Sequence, residues 1–302
     1  MNVHELPLVT FTILAQMSVG AFVVLGLIQL LGRKRFGTER IDKLSDPALY
    51  AIGPLMVLGL IASMFHLGNP MNAMNSILGV GHSWLSREIF FGATFAVMGA
   101  VFAFAQWKRL ATAGVRQAFA VVTGLVGIGL VLSMSMVYML PTVPAWDSIA
   151  TPISFFTTTL ILGVLSVGAA LLSVVLRHGA SDAGESEIVR AAVKQLAVAA
   201  ICLVGVSFVV LPTFALSLVG QGGAAAVSAA ALMSAGGGWV VGLRLALLFA
   251  GAGLIGLYMF KASDTGKERV LALASYSAIV MVLVAEVLGR ILFYASFHNL
   301  GL

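Results

Sequence analysis

The chain has 302 residues, 60% of them hydrophobic and only 10% charged, with a mean hydropathy of +1.05. A water-soluble domain carries about a quarter charged residues, so this composition excludes a soluble enzyme and points to a polytopic integral membrane protein. The single cysteine, Cys202, lies inside an apolar run and excludes disulfide frameworks, CxxC redox motifs and a cysteine-ligated iron–sulfur cluster in this chain.

A membrane helix needs about 20 mostly apolar residues. Eight such stretches follow one another, at about 8–31, 48–66, 85–107, 117–140, 152–176, 189–216, 239–261 and 269–296, separated by short polar connectors. The expected fold is therefore all-α, a single bundle of eight transmembrane helices over residues 1–302. The first stretch is too long and too weakly basic at its front for a cleaved signal peptide, and reads as the first span. Pro47 and Pro152 stand near the starts of the second and fifth helices, where a missing N–H costs nothing. Pro212, inside the sixth, predicts a kink or an end there. The uncharged, small-residue segment at 217–238 reads either as a flexible outer loop or as a short helix lying in the interface.

The net charge of +5 and pI of about 9.6 fit membrane orientation better than an anionic partner, and no nucleic acid is expected. Of the 17 basic residues, 14 fall in or beside the connectors after helices 1, 3, 5 and 7. Short loops rich in Lys and Arg remain on the cytoplasmic side, which puts both termini outside. The other three, Arg87, Arg244 and Arg290, fall near the outer ends of helices 3, 7 and 8.

Charged side chains at membrane depth cost about 2.5–3.5 kcal/mol each on insertion scales, so they are usually paired, hydrated or functional. His66 closes helix 2 and Glu88 opens helix 3, and the hairpin between them brings both side chains to the outer membrane region. Arg87, adjacent to Glu88, must point elsewhere. In helix 8, Glu286, Arg290 and Tyr294 are spaced i, i+4, i+8 and stack on one face. A rise of about 1.5 Å per residue puts Glu286 roughly 26 Å from the inner end. Arg244 enters helix 7 from the same side, and Tyr138 and Trp146 flank the outer end of helix 4. A purely structural account makes Glu286 and Arg290 an i, i+4 pair and the Trp and Tyr residues an interfacial belt.

The pairing of His66 with Glu88 favours redox chemistry on a quinol. A quinol loses two protons and two electrons, so its site needs an acceptor for a hydroxyl proton and a route to water. Imidazole accepts a proton near neutral pH, and a carboxylate at the membrane boundary can take it onward. In the link between the two helices, Asn69, Asn72 and Asn75 alternate with Met71, Met74 and Leu78, which suggests a short amphipathic helix over the site. Haem is not expected, because His66 is the one histidine of five at membrane depth and haem anchoring commonly uses pairs. The competing readings are a proton-coupled transporter built on Glu286 and Arg290, and a purely structural tether. The clustering of charges near one surface instead of the midplane disfavours the transporter.

The stretches HELPLVTFTILAQ (4–16), FHLGNPMNAMNS (65–76), VGHSWLSREI (80–89), TVPAWDSIATPISFF (142–156) and EVLGRILFY (286–294) together resemble the membrane anchor subunit of the dimethyl sulfoxide reductase family. The resemblance implies an eight-helix protein of the bacterial cytoplasmic membrane that serves anaerobic respiration. Such an anchor binds menaquinol as substrate and releases menaquinone. Its electrons pass to a ferredoxin-like subunit with four 4Fe–4S clusters, which feeds a molybdopterin catalytic subunit. His66 matches the family's histidine implicated in quinol binding and Glu88 its acidic partner. The docking face is then the outer one, built from the N-terminal segment and the loops near 67–83, 141–151 and 217–238.

Overall fold

The computed structural model describes residues 6–64, 78–178, 183–265 and 267–298, and among them every regular element is helical. In chain order these are α1 (Leu6–Phe36), α2 (Thr38–Met64), α3 (Trp84–Trp107), α4 (Ala113–Met136), α5 (Ala150–His178), α6 (Ala183–Gln221), α7 (Gly223–Met233), α8 (Ala235–Leu248), α9 (Ile255–Ala262) and α10 (Glu268–Ala295). A π-helical segment, Phe249–Leu254, joins α8 to α9 so that they run as one span. Eight helical stretches among the described residues are long and apolar enough to cross a bilayer, and the chain is a multi-pass membrane protein.

Hydroxyl side chains set several helix starts. Ser83 caps α3, Thr112 caps α4 and Ser234 caps α8, each accepting a hydrogen bond from a backbone N–H one turn on. Gly37, at φ +87°, is the sole residue between α1 and α2, and this left-handed conformation is one that glycine adopts without steric cost.

The second helix begins at Thr38, ten residues before the apolar run, so Pro47 lies inside α2 and not at its start. The polar first turns are held by contacts across the bundle. Asp42 accepts from Arg33 at 2.7 Å and from Arg109 at 2.8 Å, with Arg116 at 3.7 Å. Asp46 accepts from Arg109 and, at 2.9 Å, from the amide of Gln106, whose carbonyl takes the Arg116 Nε–H at 2.8 Å. Arginines that mark orientation in the sequence therefore also clamp α1, α2, α3 and α4 together at the basic end of the bundle.

Helix α6 has 39 residues, about 58 Å at 1.5 Å per residue, and it passes through Pro212 without ending. In the turn around the proline the Thr213 hydroxyl donates to the Val209 carbonyl at 2.7 Å. Of the two readings for 217–238, the helix is observed: after a turn at Gly222 and Gly223, both at positive φ, α7 packs Ala225 and Ala229 against Leu218 and Ala145. Ser228 of α7 donates to the Ser296 carbonyl at 2.9 Å, tying it to the end of α10.

Helices α1 and α5 are the most deeply buried spans, and they cross at Gly20 and Gly163, where a Cβ on either would overlap the backbone of the other helix. Small residues allow such approach between membrane helices, where packing and hydrogen bonds replace the hydrophobic effect as the source of association. Around this crossing α2 and α4 pack on α1, α6 and α10 pack on α5, and α8 packs on α10.

Because three guanidiniums converge on one buried carboxylate, Asp42→Asn should destabilise the protein by about 3–5 kcal/mol. Thermal unfolding in detergent measures this, and a midpoint equal to wild type would contradict the clamp.

Candidate functional site

The first turn of α3 sends two adjacent charges in different directions. The Arg87 guanidinium turns back, donating to the carbonyls of Val80 at 2.8 Å and Gly81 at 2.9 Å and lying 4.3 Å above the Trp84 ring. It caps the loop and takes no part in the polar layer. Glu88, about 100° further round the helix, turns inward and is 8% exposed. Among the described residues, nothing hydrogen-bonds or ion-pairs with its carboxylate. The Tyr138 and Tyr294 hydroxyls are within electrostatic reach of the Glu88 carboxyl. His66, together with Asn69, Asn72 and Asn75 of the expected amphipathic helix, lies outside the described residues.

The two phenols form a pair, with their oxygens 3.0 Å apart. Tyr138 follows the last turn of α4, and its ring meets Trp146 and Phe293 edge-on, each at 5.3 Å. Trp146 in turn stacks on Phe293 and donates its indole N–H to the Phe293 carbonyl at 2.8 Å. Burial pushes the Tyr138 phenol well above its ordinary pKa, with the neighbouring Tyr294 and Glu88 adding to the effect, so it stays a neutral donor. Both tyrosines are buried and face inward, which corrects the belt account for this pair.

Arg290, 4% exposed, is held between three helices. It donates to the Gln16 side-chain oxygen of α1 at 3.0 Å, and its guanidinium lies 3.7 Å above the Phe155 ring of α5. The Gln16 amide closes the loop by donating to the Phe155 carbonyl at 3.0 Å. The i, i+4 pair of Glu286 with Arg290 that a purely structural account makes is not formed. Glu286 instead accepts from Thr158 of α5 at 2.7 Å and meets Arg244 of α8 at 3.5 Å. Tertiary partners on the facing helices displace the local one because each satisfies a charge that the bilayer leaves unsolvated. Arg244 lies flat against Gly289, where a Cβ would overlap its guanidinium. Beside this group a cavity of about 430 Å³ opens between α5, α6, α8 and α10, with Arg244, Glu286 and Arg290 in its lining. Glu88 is not among its lining residues.

Six of the singled-out residues thus come together in one layer: Glu88, Tyr138, Tyr294, Arg290, Glu286 and Arg244. Arg87 does not join them. The residues missed in the sequence are Gln16, Thr158, Phe155 and Gly289. Gln16 carries a usable signal, being an amide buried in a long apolar span. Thr158 and Phe155 carry none, since nothing local shows which face of α5 meets α10.

The family described as DMSO reductase anchor subunit (DmsC) matches residues 1–296. The C subunit of anaerobic dimethyl sulfoxide reductase from Escherichia coli (strain K12) is 40% identical over 172 residues, which are 56% of this chain and 58% of the relative. The subunit of the same description from Haemophilus influenzae is 34% identical over 171 residues, 57% of this chain and 60% of that one. The YnfH subunit of anaerobic dimethyl sulfoxide reductase from Escherichia coli (strain K12) is 34% identical over 173 residues, 56% and 58% respectively. The matched stretches therefore span less than two thirds of these relatives' lengths.

The geometry around Gly289 makes a coupling prediction. Arg244→Gln should cost about 2 kcal/mol by stripping Glu286 of its cation. In a Gly289→Ala background, where the guanidinium is already displaced, the same change should cost much less. A double-mutant cycle on unfolding midpoints measures the difference, and simple additivity would contradict the contact.

Proposed function

The chain belongs to the DMSO reductase anchor subunit family, and from that premise we propose that it oxidises menaquinol at the His66–Glu88 end of the bundle and passes the electrons to a docked iron–sulfur subunit. That subunit, ferredoxin-like with four 4Fe–4S clusters, supplies a molybdopterin catalytic subunit. The observation that carries the reading is Glu88: a carboxylate inside an apolar bundle, with no partner among the described residues and a pair of tyrosine hydroxyls in its field. An ionisable group left in that state is a functional candidate by default.

The chemistry divides among the chain's own groups. Each quinol O–H breaks with its proton moving to an acceptor and its electron leaving through the ring, so one turnover yields a quinone, two protons and two electrons. Glu88 accepts one proton and His66 the other. Tyr138 and Tyr294 donate to a ring oxygen or relay through their shared hydrogen bond. The two electrons go to the nearest cluster of the partner.

Orientation follows from charge. With the basic end in the cytoplasm, the Glu88 end faces outward from the bacterial cytoplasmic membrane. That face is poor in charge and exposes Leu78, Ile149 and Phe297, which suits docking by apolar contact and hydrogen bonding. Protons released there and consumed by a reductase on the same side make turnover electroneutral.

The test uses the assembled complex. Glu88→Gln and His66→Leu should each lower quinol-dependent turnover by about 100-fold or more, while activity with an artificial electron donor acting directly on the catalytic subunit stays at wild-type level. Normal quinol turnover in both variants would overturn the assignment.

A further inference from the structure

Neither Glu88 nor the Tyr138–Tyr294 pair is among the residues that line the cavity beside Arg244. It runs from the outer ends of α5 and α10, at Thr151 and Ser296, down to Arg244, Glu286 and Arg290, and its volume is about 430 Å³. The wall contributed by α6 and α8 is apolar, with Leu211, Phe214, Val241 and Leu245 along it.

Its inner end is short of acceptors. Two guanidiniums stand there against one carboxylate, and Glu286 already receives the Thr158 hydroxyl at 2.7 Å while Arg244 reaches it only at 3.5 Å. The Nε–H groups of Arg244 and Arg290 are both buried with no acceptor among the described residues. A neutral apolar occupant leaves these donors unpartnered and the excess positive charge uncompensated. A small inorganic anion satisfies the guanidiniums and leaves the apolar wall bare. An oxyanion carried on a hydrocarbon chain satisfies both.

Depth agrees with this. Trp239 on α8 is 73% exposed, as expected of a residue at the membrane interface. Arg244 lies five residues further along, about 7.5 Å deeper, and its guanidinium rests on Gly289 and meets Glu286 at the inner end of the cavity.

We infer that this cavity is a phospholipid site, in which Arg244 and Arg290 hold the phosphate oxygens of a membrane lipid and an acyl chain runs along the α6–α8 wall. A lipid seated there fills the gap between α6, α8 and α10 and fastens α8 to the rest of the bundle. The inference does not depend on where quinol reacts.

The experiment measures lipid phosphorus and lipid mass retained by the purified, extensively detergent-washed complex. Two variants accompany wild type: Arg244→Gln, which removes donors, and Ala215→Phe, which fills the cavity and leaves the charges in place. Wild type should retain about one phospholipid more per complex than either variant. Adding phosphatidylglycerol in bicelles should raise the unfolding midpoint of delipidated wild type, with a clearly smaller rise in both variants. Equal retention in all three proteins, recovery of a quinone in place of a phospholipid, or equal stabilisation by inorganic phosphate alone would each overturn the inference.

Discussion

A guanidinium inside an apolar bundle must be satisfied by the protein, and Arg290 shows what that requirement imposes. Its hydrogen bond to Gln16, its seat on the Phe155 ring and the Gln16 bond to the Phe155 carbonyl form a closed triangle through α1, α5 and α10. Stranding any member leaves a charge or an amide buried without solvation, at a cost of several kcal/mol. The triangle therefore fixes the register of three central helices where they approach the charge-poor end. Arg290 also borders the cavity that Arg244 and Glu286 line, whereas Glu88 and the two tyrosines are not in that lining.

The same logic operates at the opposite end with more charge and more water. Asp42 and Asp46 gather arginines from α1, the α3–α4 turn and α4, so the cationic loops that orient a membrane protein also set its helix packing. Between these two polar layers the bundle relies on close backbone approach, as at Gly20 and Gly163. Polar layers at both ends with small-residue contact between them tie the spans together at three levels, which suits the proposed role of holding a quinol close to a partner subunit.

Much of this is legible in the sequence, and the failures have definite causes. Spans announce themselves because the bilayer demands an apolar length, and all eight can be read directly. The start of α2 escapes because its first turns are polar and are stabilised by residues distant in the chain, such as Arg109, which no local pattern reveals. The i, i+4 spacing of Glu286 and Arg290 suggests a local pair, yet both find better partners on neighbouring helices, because helix spacing says who can meet along one helix and not who waits opposite. The convergence of Glu88, Tyr138, Tyr294, Arg290, Glu286 and Arg244 is readable from depth alone, since each sits near the same end of its helix. Thr158, Phe155 and Gly289 acquire their meaning only from the packing around them.

In the proposed reaction a quinol ring meets the Glu88 carboxyl and the His66 imidazole together. The decisive observation is an experimental density map of the assembled complex prepared with a tightly bound quinol-site inhibitor. The inhibitor's polar head should lie within hydrogen-bonding distance of both side chains and outside the Arg244 cavity. A head bound in the Arg244 cavity, or an imidazole turned away from Glu88 with the ring between neither, would contradict it.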